Sequence, residues 1–341
     1  TSLDGLDVAA CSFSAEGFGW SYQVHSAETV PYTEQWTRRI LEVYQSDAAS
    51  LARLHMDLGA YMGRLAKEFL FKTGFAADFI ASHGHTLFHN PAEGYTFQAG
   101  NGAALSAESG IPVITDFRSG DVARGGQGAP LVPPGDACLF AEYGACLNIG
   151  GFANISYNDG NRRIAYDIAP ANMALNELAR RMGKPFDDEG AMAKSGKIDP
   201  QLLHDLLSLP YFHQPPPKSL GREGYEAFFR PVILQSRISI HDSLCTLNEM
   251  IALLVAASLP DTLSGKGLLI TGGGGRNRFL VERIRHHCHC PVEVPDTKLV
   301  DFKEALIFAF LGLKYVLGGT NTLASVTGAK KDSVTGALYF P

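Results

Sequence analysis

Two glycine turns, one glycine run and a few charged residues carry the chemistry this chain can do. Thr1-Ser2-Leu3-Asp4-Gly5 and Asn148-Ile149-Gly150-Gly151 each set backbone N–H groups in a tight bend. Such amides carry partial positive charge and suit phosphate oxygens. Thr1 and Ser2 add hydroxyl donors, and Asp4 is a candidate to hold a metal ion, directly or through water. A single turn of this kind also reads as an ordinary hairpin, so the pair says more than either alone. In Ile270-Thr271-Gly272-Gly273-Gly274-Gly275-Arg276-Asn277, four glycines lie between an apolar strand and a helix start. A helix N-terminus behind a glycine loop admits a flat or anionic ligand, and ordering four glycines costs backbone entropy. The run is no P-loop, because Gly-x4-Gly-Lys-Ser/Thr is absent from the chain. Nor is it the dinucleotide fingerprint, because Asn277 stands where that pattern needs its last glycine.

Asp116-Phe117-Arg118-Ser119-Gly120-Asp121 precedes Gly125-Gly126-Gln127-Gly128-Ala129-Pro130-Leu131. Arg118 suits a forked pairing with a substrate carboxylate; a structural Asp–Arg pair holding a hinge is the competing reading. Asp167, in Tyr166-Asp167-Ile168-Ala169-Pro170-Ala171-Asn172, falls at an expected strand end just before a helix. It reads either as an N-cap or as a general base, since a carboxylate with a reference pKa of about 4 is ionised at neutral pH. His286-His287-Cys288-His289-Cys290 has the look of a metal cluster, but no partner pair stands at zinc-site spacing. Histidines also suit a helix C-terminus. His-Glu-x-x-His, Gly-x-Ser-x-Gly and Cys-x-x-Cys are absent, so zinc peptidase and serine hydrolase readings lack support.

Strands alternating with helices must position these groups, which makes the class α/β. Strands are expected over 8–13, 79–82, 112–115, 145–157 (interrupted by a glycine turn), 163–167 and 267–271. Helices are expected over 34–71, 172–182, 244–257, 277–287 and 302–317. Residues 125–134 read as a structured loop or hinge, and 190–220 as irregular and rich in proline. The segment around Asn148 repeats the form of the opening segment, as one device used once per half. With 341 residues, about two domains are expected. A 45% hydrophobic and 19% charged composition fits a compact globular chain and not a disordered one. Against 29 basic residues stand 35 acidic ones, so a basic footprint for nucleic acid is absent. No apolar run reaches about 18 residues, which speaks against a membrane span. Six cysteines are few for the length and fit a reducing cytoplasm better than a disulfide scaffold. The chain opens at Thr1, directly in a turn, and the reading expects a few residues ahead of it, including a strand.

Taken together these segments resemble the anhydro-N-acetylmuramic acid kinases. The resemblance rests on Thr-Ser-x-Asp-Gly-x-Asp at 1–7, Ser82-His83-Gly84-His85-Thr86 with His89-Asn90-Pro91, and Asp116-Phe117-Arg118 with Asp121. It continues through 125–131, Asn148-Ile149-Gly150-Gly151 with Asn154, Lys218-Ser219 with Gly221-Arg222-Glu223, and Val326-Thr327-Gly328-Ala329. It spans essentially the whole chain, and the block from Asp116 to Leu131 is its most specific part. It implies two related α/β domains of the actin/hexokinase/Hsp70 ATPase type around a central nucleotide cleft. Residues 1–124 with about 318–341 would form one domain, carrying the first phosphate loop. Residues 125–317 would form the other, carrying the second phosphate loop and the adenosine loop. It implies ATP with Mg²⁺, held by Thr1, Ser2, Leu3, Asp4, Gly5, Leu6, Asp7, Asn148, Gly150, Gly151, Asn154, Gly272, Gly273, Gly274 and Asn277. Mg²⁺ would lie near Asp4, through water. It implies that His83, Arg118, Asp121, Gln127 and Glu304 bind the sugar, and that Asp167 activates the water. The reaction implied opens the anhydro ring at C1 with water while O6 takes the γ-phosphoryl group, yielding N-acetylmuramic acid 6-phosphate and ADP in cell-wall recycling. Ile168, Ala169 and Ala171 stand where the family motif usually has Thr, Gly and Gly, while Asp167, Pro170 and Asn172 keep it. The resemblance makes a homodimer reasonable. The alternatives are an ordinary hexose kinase of the same superfamily and a nucleotide-switch protein that phosphorylates no small molecule.

Overall fold

The computed structural model describes residues 5–17, 19–216, 218–260, 263 and 265–341. Thr1, Ser2, Leu3 and Asp4, the core of the expected first phosphate turn, lie outside the described residues. The chain divides into two compact units, Thr1–Leu139 with Glu304–Pro341, and Phe140–Lys303. The boundaries expected from sequence lie near 124 and 317. Residues 125–139 stay with the first unit because they are tied to it. Gly128 N donates to Asp121 Oδ2 at 2.8 Å, and Gln127 N donates to the Thr327 carbonyl at 2.8 Å. Gly135 sits so close to Ile307 that an added Cβ would lie 2.6 Å from its Cγ2.

In the first unit, β1 (Gly5–Glu16) and β2 (Gly19–Pro31) form an antiparallel hairpin. Strand β3 (Ile80–Ala81) runs parallel to β6 (Val113–Thr115), which pairs antiparallel with β12 (Ala337–Tyr339). A second hairpin joins β4 (His85–Asn90) to β5 (Tyr95–Ala99). The helix Ala48–Thr73 starts on the Asp47 cap, whose Oδ1 accepts from Ser50 N at 2.7 Å, and stops at Gly74 with φ +68°. Glycine is favoured there because a left-handed residue ends the helix. Leu54, Leu58, Met62, Ala66 and Phe69 recur on its buried face, the spacing of an amphipathic helix. Gly59 lets it approach the next segment closely, since a Cβ there would lie 2.3 Å from the Asn101 carbonyl oxygen. Among the described residues β1 and β3 each pair along one edge only. Residues 5–13 and 75–85 both line a cavity of about 460 Å³.

The second unit holds a continuous five-stranded sheet in the order β11-β10-β7-β8-β9. These strands are β7 (Ala145–Ile149), β8 (Phe152–Asp159), β9 (Arg162–Pro170), β10 (Leu268–Thr271) and β11 (Val292–Glu293). Strand β10 is parallel to β7 and β11, while β8 is antiparallel to both its neighbours. Ala145, Leu147, Ile149, Ala153 and Ile155 face one core with the helices Asn172–Arg181 and Ile240–Ala257. Among the described residues, Ile240–Ala257 is the one helix long and apolar enough to cross a membrane, yet 61% of it is buried inside the fold. It is a core helix by its packing. The expected irregular stretch 190–220 contains the short helices Ala191–Ser195 and Pro200–Leu207.

Candidate active site

In the second unit the sheet aligns its polar residues across strands. Asn148 of β7 pairs with Asn154 of β8 and with Thr271 of β10, and Asn154 pairs with Asp167 of β9. Directly opposed residues share a face, and successive residues alternate faces. Asn148 and Asn154 therefore lie on the face away from Leu147, Ile149, Ala153 and Ile155. A bulge between Ala153 and Asn154 sets the register that brings Asp167 into the row, the usual way a bulge re-aims a side chain.

Asp167 lies inside β9, and the helix after it is capped at Ala171 with no side-chain bond. The N-cap reading is thereby overturned. The strand runs on through Ile168, Ala169 and Pro170, the first two buried at 2% and 0% exposure. Proline is tolerated because β9 is an edge strand. The segment at 211–220 holds Asp167 from the side. Leu220 N donates to Oδ2 at 2.8 Å, Tyr211 Oη donates to the Asp167 carbonyl at 2.6 Å, and Asp167 N donates to the Lys218 carbonyl at 3.2 Å. Oδ1 has no hydrogen-bond partner among the described residues. Burial pushes the Asp167 carboxyl above the usual carboxylate range, against the opposing pull of the Leu220 amide. Lys218 donates to the Tyr211 carbonyl at 3.2 Å and lies over the Tyr211 and Tyr166 rings at 4.8 and 5.7 Å. Tyr211 and Lys218 have no role that sequence alone announces, because the proline-rich stretch carries no periodicity that would place them.

The glycine turn at Gly150 and Gly151 joins β7 to β8. Gly150 O accepts from Asn172 N at 3.1 Å, and Gly151 O accepts from Ala171 N at 2.8 Å and Met173 N at 3.1 Å. A Cβ added at Gly150 or Gly151 would meet nothing closer than 3.6 Å, so the turn has an open side. The glycine run packs against it. Gly272, at φ +81°, would place a Cβ 2.6 Å from Asn148 Oδ1, and Gly274 would place one 2.1 Å from Ile149 Cγ2. Gly273 has open space, with Asn172 Nδ2 nearest at 3.9 Å. Asn277 is 8% exposed and engaged within the fold: its Oδ1 caps Leu280 N at 2.9 Å and its Nδ2 donates to Asn248 Oδ1 at 3.1 Å. Its expected nucleotide contact becomes a helix cap and a tie between helices. His287 Nε2 lies 2.8 Å from Glu249 Oε1, and Arg283 grips the same carboxylate with bonds of 2.6 and 2.9 Å. No group of three or more His, Cys, Asp or Glu set to hold a metal occurs among the described residues.

In the first unit, Gly5, Leu6 and Asp7 open β1, and Asp7 Oδ1 accepts from Thr29 Oγ1 at 2.5 Å. Arg118 donates through Nε to His83 Nε2 at 2.8 Å and through Nη1 to the Gly128 carbonyl at 2.5 Å. Burial, then the charge of Arg118, holds His83 well below the usual histidine range, so the ring is neutral and its Nε2 accepts the hydrogen bond from Arg118 Nε. Burial also lowers the Arg118 pKa, opposed by the Glu304 carboxylate. His83 packs against Phe308 with ring centroids 4.6 Å apart and planes tilted by 48°, and His83 and Glu304 both line the 460 Å³ cavity. Gln127 is exposed. Asp121 is fully buried, its Oδ1 accepting from Thr327 Oγ1 and its Oδ2 from Gly128 N, each at 2.8 Å. Both of its oxygens are thus engaged by partners within the fold.

The sequence profile of the anhydro-N-acetylmuramic acid kinase family matches residues 1–341. Three relatives carry that description. One from a Cyanothece species is 34% identical, over 99% of this chain and 97% of its own. One from Burkholderia orbicola is 35% identical over 99% and 94%. One from Chromobacterium violaceum is 35% identical over 99% and 96%. A solved structure of the activator of 2-hydroxyisocaproyl-CoA dehydratase from Clostridium difficile is similar over 82% of each chain, at 13% identity and a TM-score of 0.37. That likeness is too slight to add to what the sequences say. The chain belongs to the anhydro-N-acetylmuramic acid kinase family.

Proposed function

We propose that the protein converts 1,6-anhydro-N-acetylmuramic acid, ATP and water to N-acetylmuramic acid 6-phosphate and ADP in peptidoglycan recycling. Asp167 carries the reading. Its carboxylate is held through one oxygen by the Leu220 amide, leaves the other able to accept, and has its proton affinity raised by burial. Those are the properties of a general base poised nearer neutrality than a surface aspartate. Asp167 takes a proton from water as the water oxygen bonds to C1; the C1–O6 bond breaks and O6 takes the γ-phosphoryl group. Arg118, held in place by His83 and Gly128, pairs with the lactyl carboxylate as a fork. The open glycines at 151 and 273 offer backbone amides to phosphate oxygens, while the Gly150 amide closes the turn on the Phe152 carbonyl at 3.0 Å and leaves open space beside its Cα. Positioning and charge stabilisation supply most of phosphoryl-transfer catalysis. Mg²⁺ would neutralise phosphate charge, with Asp4, which lies outside the described residues, as its expected protein partner. A cytoplasmic location and a homodimer go with this reading. A coupled ADP-release assay tests it. ADP release with the anhydro sugar but not with plain N-acetylmuramic acid, and label at C1 after reaction in ¹⁸O-water, is expected. Turnover of plain hexoses without solvent oxygen at C1 would replace it with an ordinary sugar kinase.

A further inference from the structure

We infer that Thr327 is a positioning residue for Arg118, acting through the buried carboxylate of Asp121 and the carbonyl of Gly128. Thr327 and Asp121 are 206 residues apart in sequence, yet they are exposed by only 1% and 0%. The linkage is continuous. Thr327 Oγ1 donates to Asp121 Oδ1 at 2.8 Å, Gly128 N donates to Asp121 Oδ2 at 2.8 Å, and Arg118 Nη1 donates to Gly128 O at 2.5 Å. The backbone closes the ring, because Asp121 N donates to the Arg118 carbonyl at 3.1 Å and Gln127 N to the Thr327 carbonyl at 2.8 Å.

The residues 125–128 are wound tightly on this carboxylate. A Cβ at Gly126 would lie 2.2 Å from Asp121 Oδ2, and one at Gly128, with φ +64°, would lie 2.7 Å from Val122 Cγ2. Only glycine fits either place, so the loop has one path while Asp121 keeps its two donors. A buried carboxylate that loses a donor keeps its desolvation cost, and the loop is what can move in response. The guanidinium it holds then loses its fixed direction, which a forked contact with a carboxylate needs. Asp121 and Thr327 act on the sugar through Arg118 and do not touch it.

The inference rests on the proposed role of Arg118, and the test separates the two. Thr327→Val keeps the shape and removes the hydroxyl; Thr327→Ser keeps the hydroxyl. Kinetics with the anhydro sugar and hydrogen exchange at the Gly128 amide are measured on both. Thr327→Val is expected to raise KM for the sugar about tenfold, the size of one lost charge-assisted hydrogen bond, with KM for ATP and kcat within about twofold. Gly128 exchange is expected to quicken about tenfold, and Thr327→Ser to restore both. Unchanged Gly128 exchange in Thr327→Val, or equal losses in every kinetic constant, would overturn the inference. Faster exchange combined with an Arg118→Lys variant of normal sugar KM would keep the linkage and remove Arg118 from the sugar. Should Thr327→Val not fold, Asp121→Asn, which keeps the size and one acceptor, carries the same expectations.

Discussion

The two units hold their polar groups by different means. In the second, Thr271, Asn148, Asn154 and Asp167 are aligned by strand register over one continuous sheet. In the first, the pairing is divided among a hairpin, a three-stranded sheet and a second hairpin, and Arg118 is held by His83, a loop carbonyl and a buried carboxylate. Backbone ladders position side chains locally and tolerate single side-chain losses. Chains of side-chain bonds fix a direction at long range and fail where one link is cut. The base is therefore placed by strand register and steadied mostly by backbone groups of 211–220, whereas the arginine's direction depends on side chains scattered over the chain.

The largest expected effect breaks the ladder side of this contrast at its one chemical group. Asp167→Asn should cut turnover by about 10²–10⁴-fold, the range for a lost general base, while ATP affinity by titration stays near normal. Near-normal turnover would remove Asp167 from the role.

The glycines sharpen the contrast next. Gly274→Ala drives a methyl into Ile149 Cγ2 and should cost about 1–3 kcal/mol of stability, as overpacking does. Gly150→Ala meets open space, so thermal unfolding should be almost unchanged while KM for ATP rises. Equal melting temperatures for the two would mean that the glycine run is not packed on β7.

How much of this could be read beforehand follows from the same difference. The strand–turn–strand at 145–157 and the helix after Asn277 were legible because apolar runs and glycines announce them locally. Asp167 was legible as a carboxylate with two roles. The choice between them was hidden, because β9 runs through Pro170 only by being an edge strand, and Asp167 joins the row only through a bulge. The Thr327–Asp121 bond was not legible, since nothing in either segment names the other. It also bears on Asp121, expected from the resemblance to contact the sugar, whose two oxygens are engaged by Thr327, near the chain's other end, and by Gly128. Arg118 was legible as a candidate, but the neutral His83 that orients it follows only from the fold.

Acidity supplies a smaller test of the ladder side. A base must be ionised, so activity should fall as pH drops through the Asp167 pKa, and burial places that limb above the ordinary carboxylate value of about 4. The stability sign is opposite. A carboxyl whose pKa is raised on folding binds its proton better in the folded state, so its ionised form weakens folding at neutral pH, and the penalty fades as pH falls through that raised value. Asp167→Asn should then melt no lower than the parent at pH 7, and the difference should shrink toward pH 4. A variant that melts lower at pH 7 would show that the Leu220 amide outweighs burial.

The smallest effect is expected where sequence suggested a metal. His287 is engaged with Glu249 and Arg283 rather than gathered with its neighbours. His286 lies in the last turn of the helix and meets His287 edge-on, ring centroids 4.9 Å apart. If the cluster is a helix ending, replacing His286 and His289 together with alanine should leave kcat, both KM values and thermal unfolding within about twofold or a fraction of a kcal/mol, as for exposed positions. Zinc titration of the parent should give no stoichiometric uptake at this cluster. Tight zinc binding lost in the double variant would make it a metal site after all, and would move one functional centre of the second unit away from the polar row to the far end of the helix Arg278–His287.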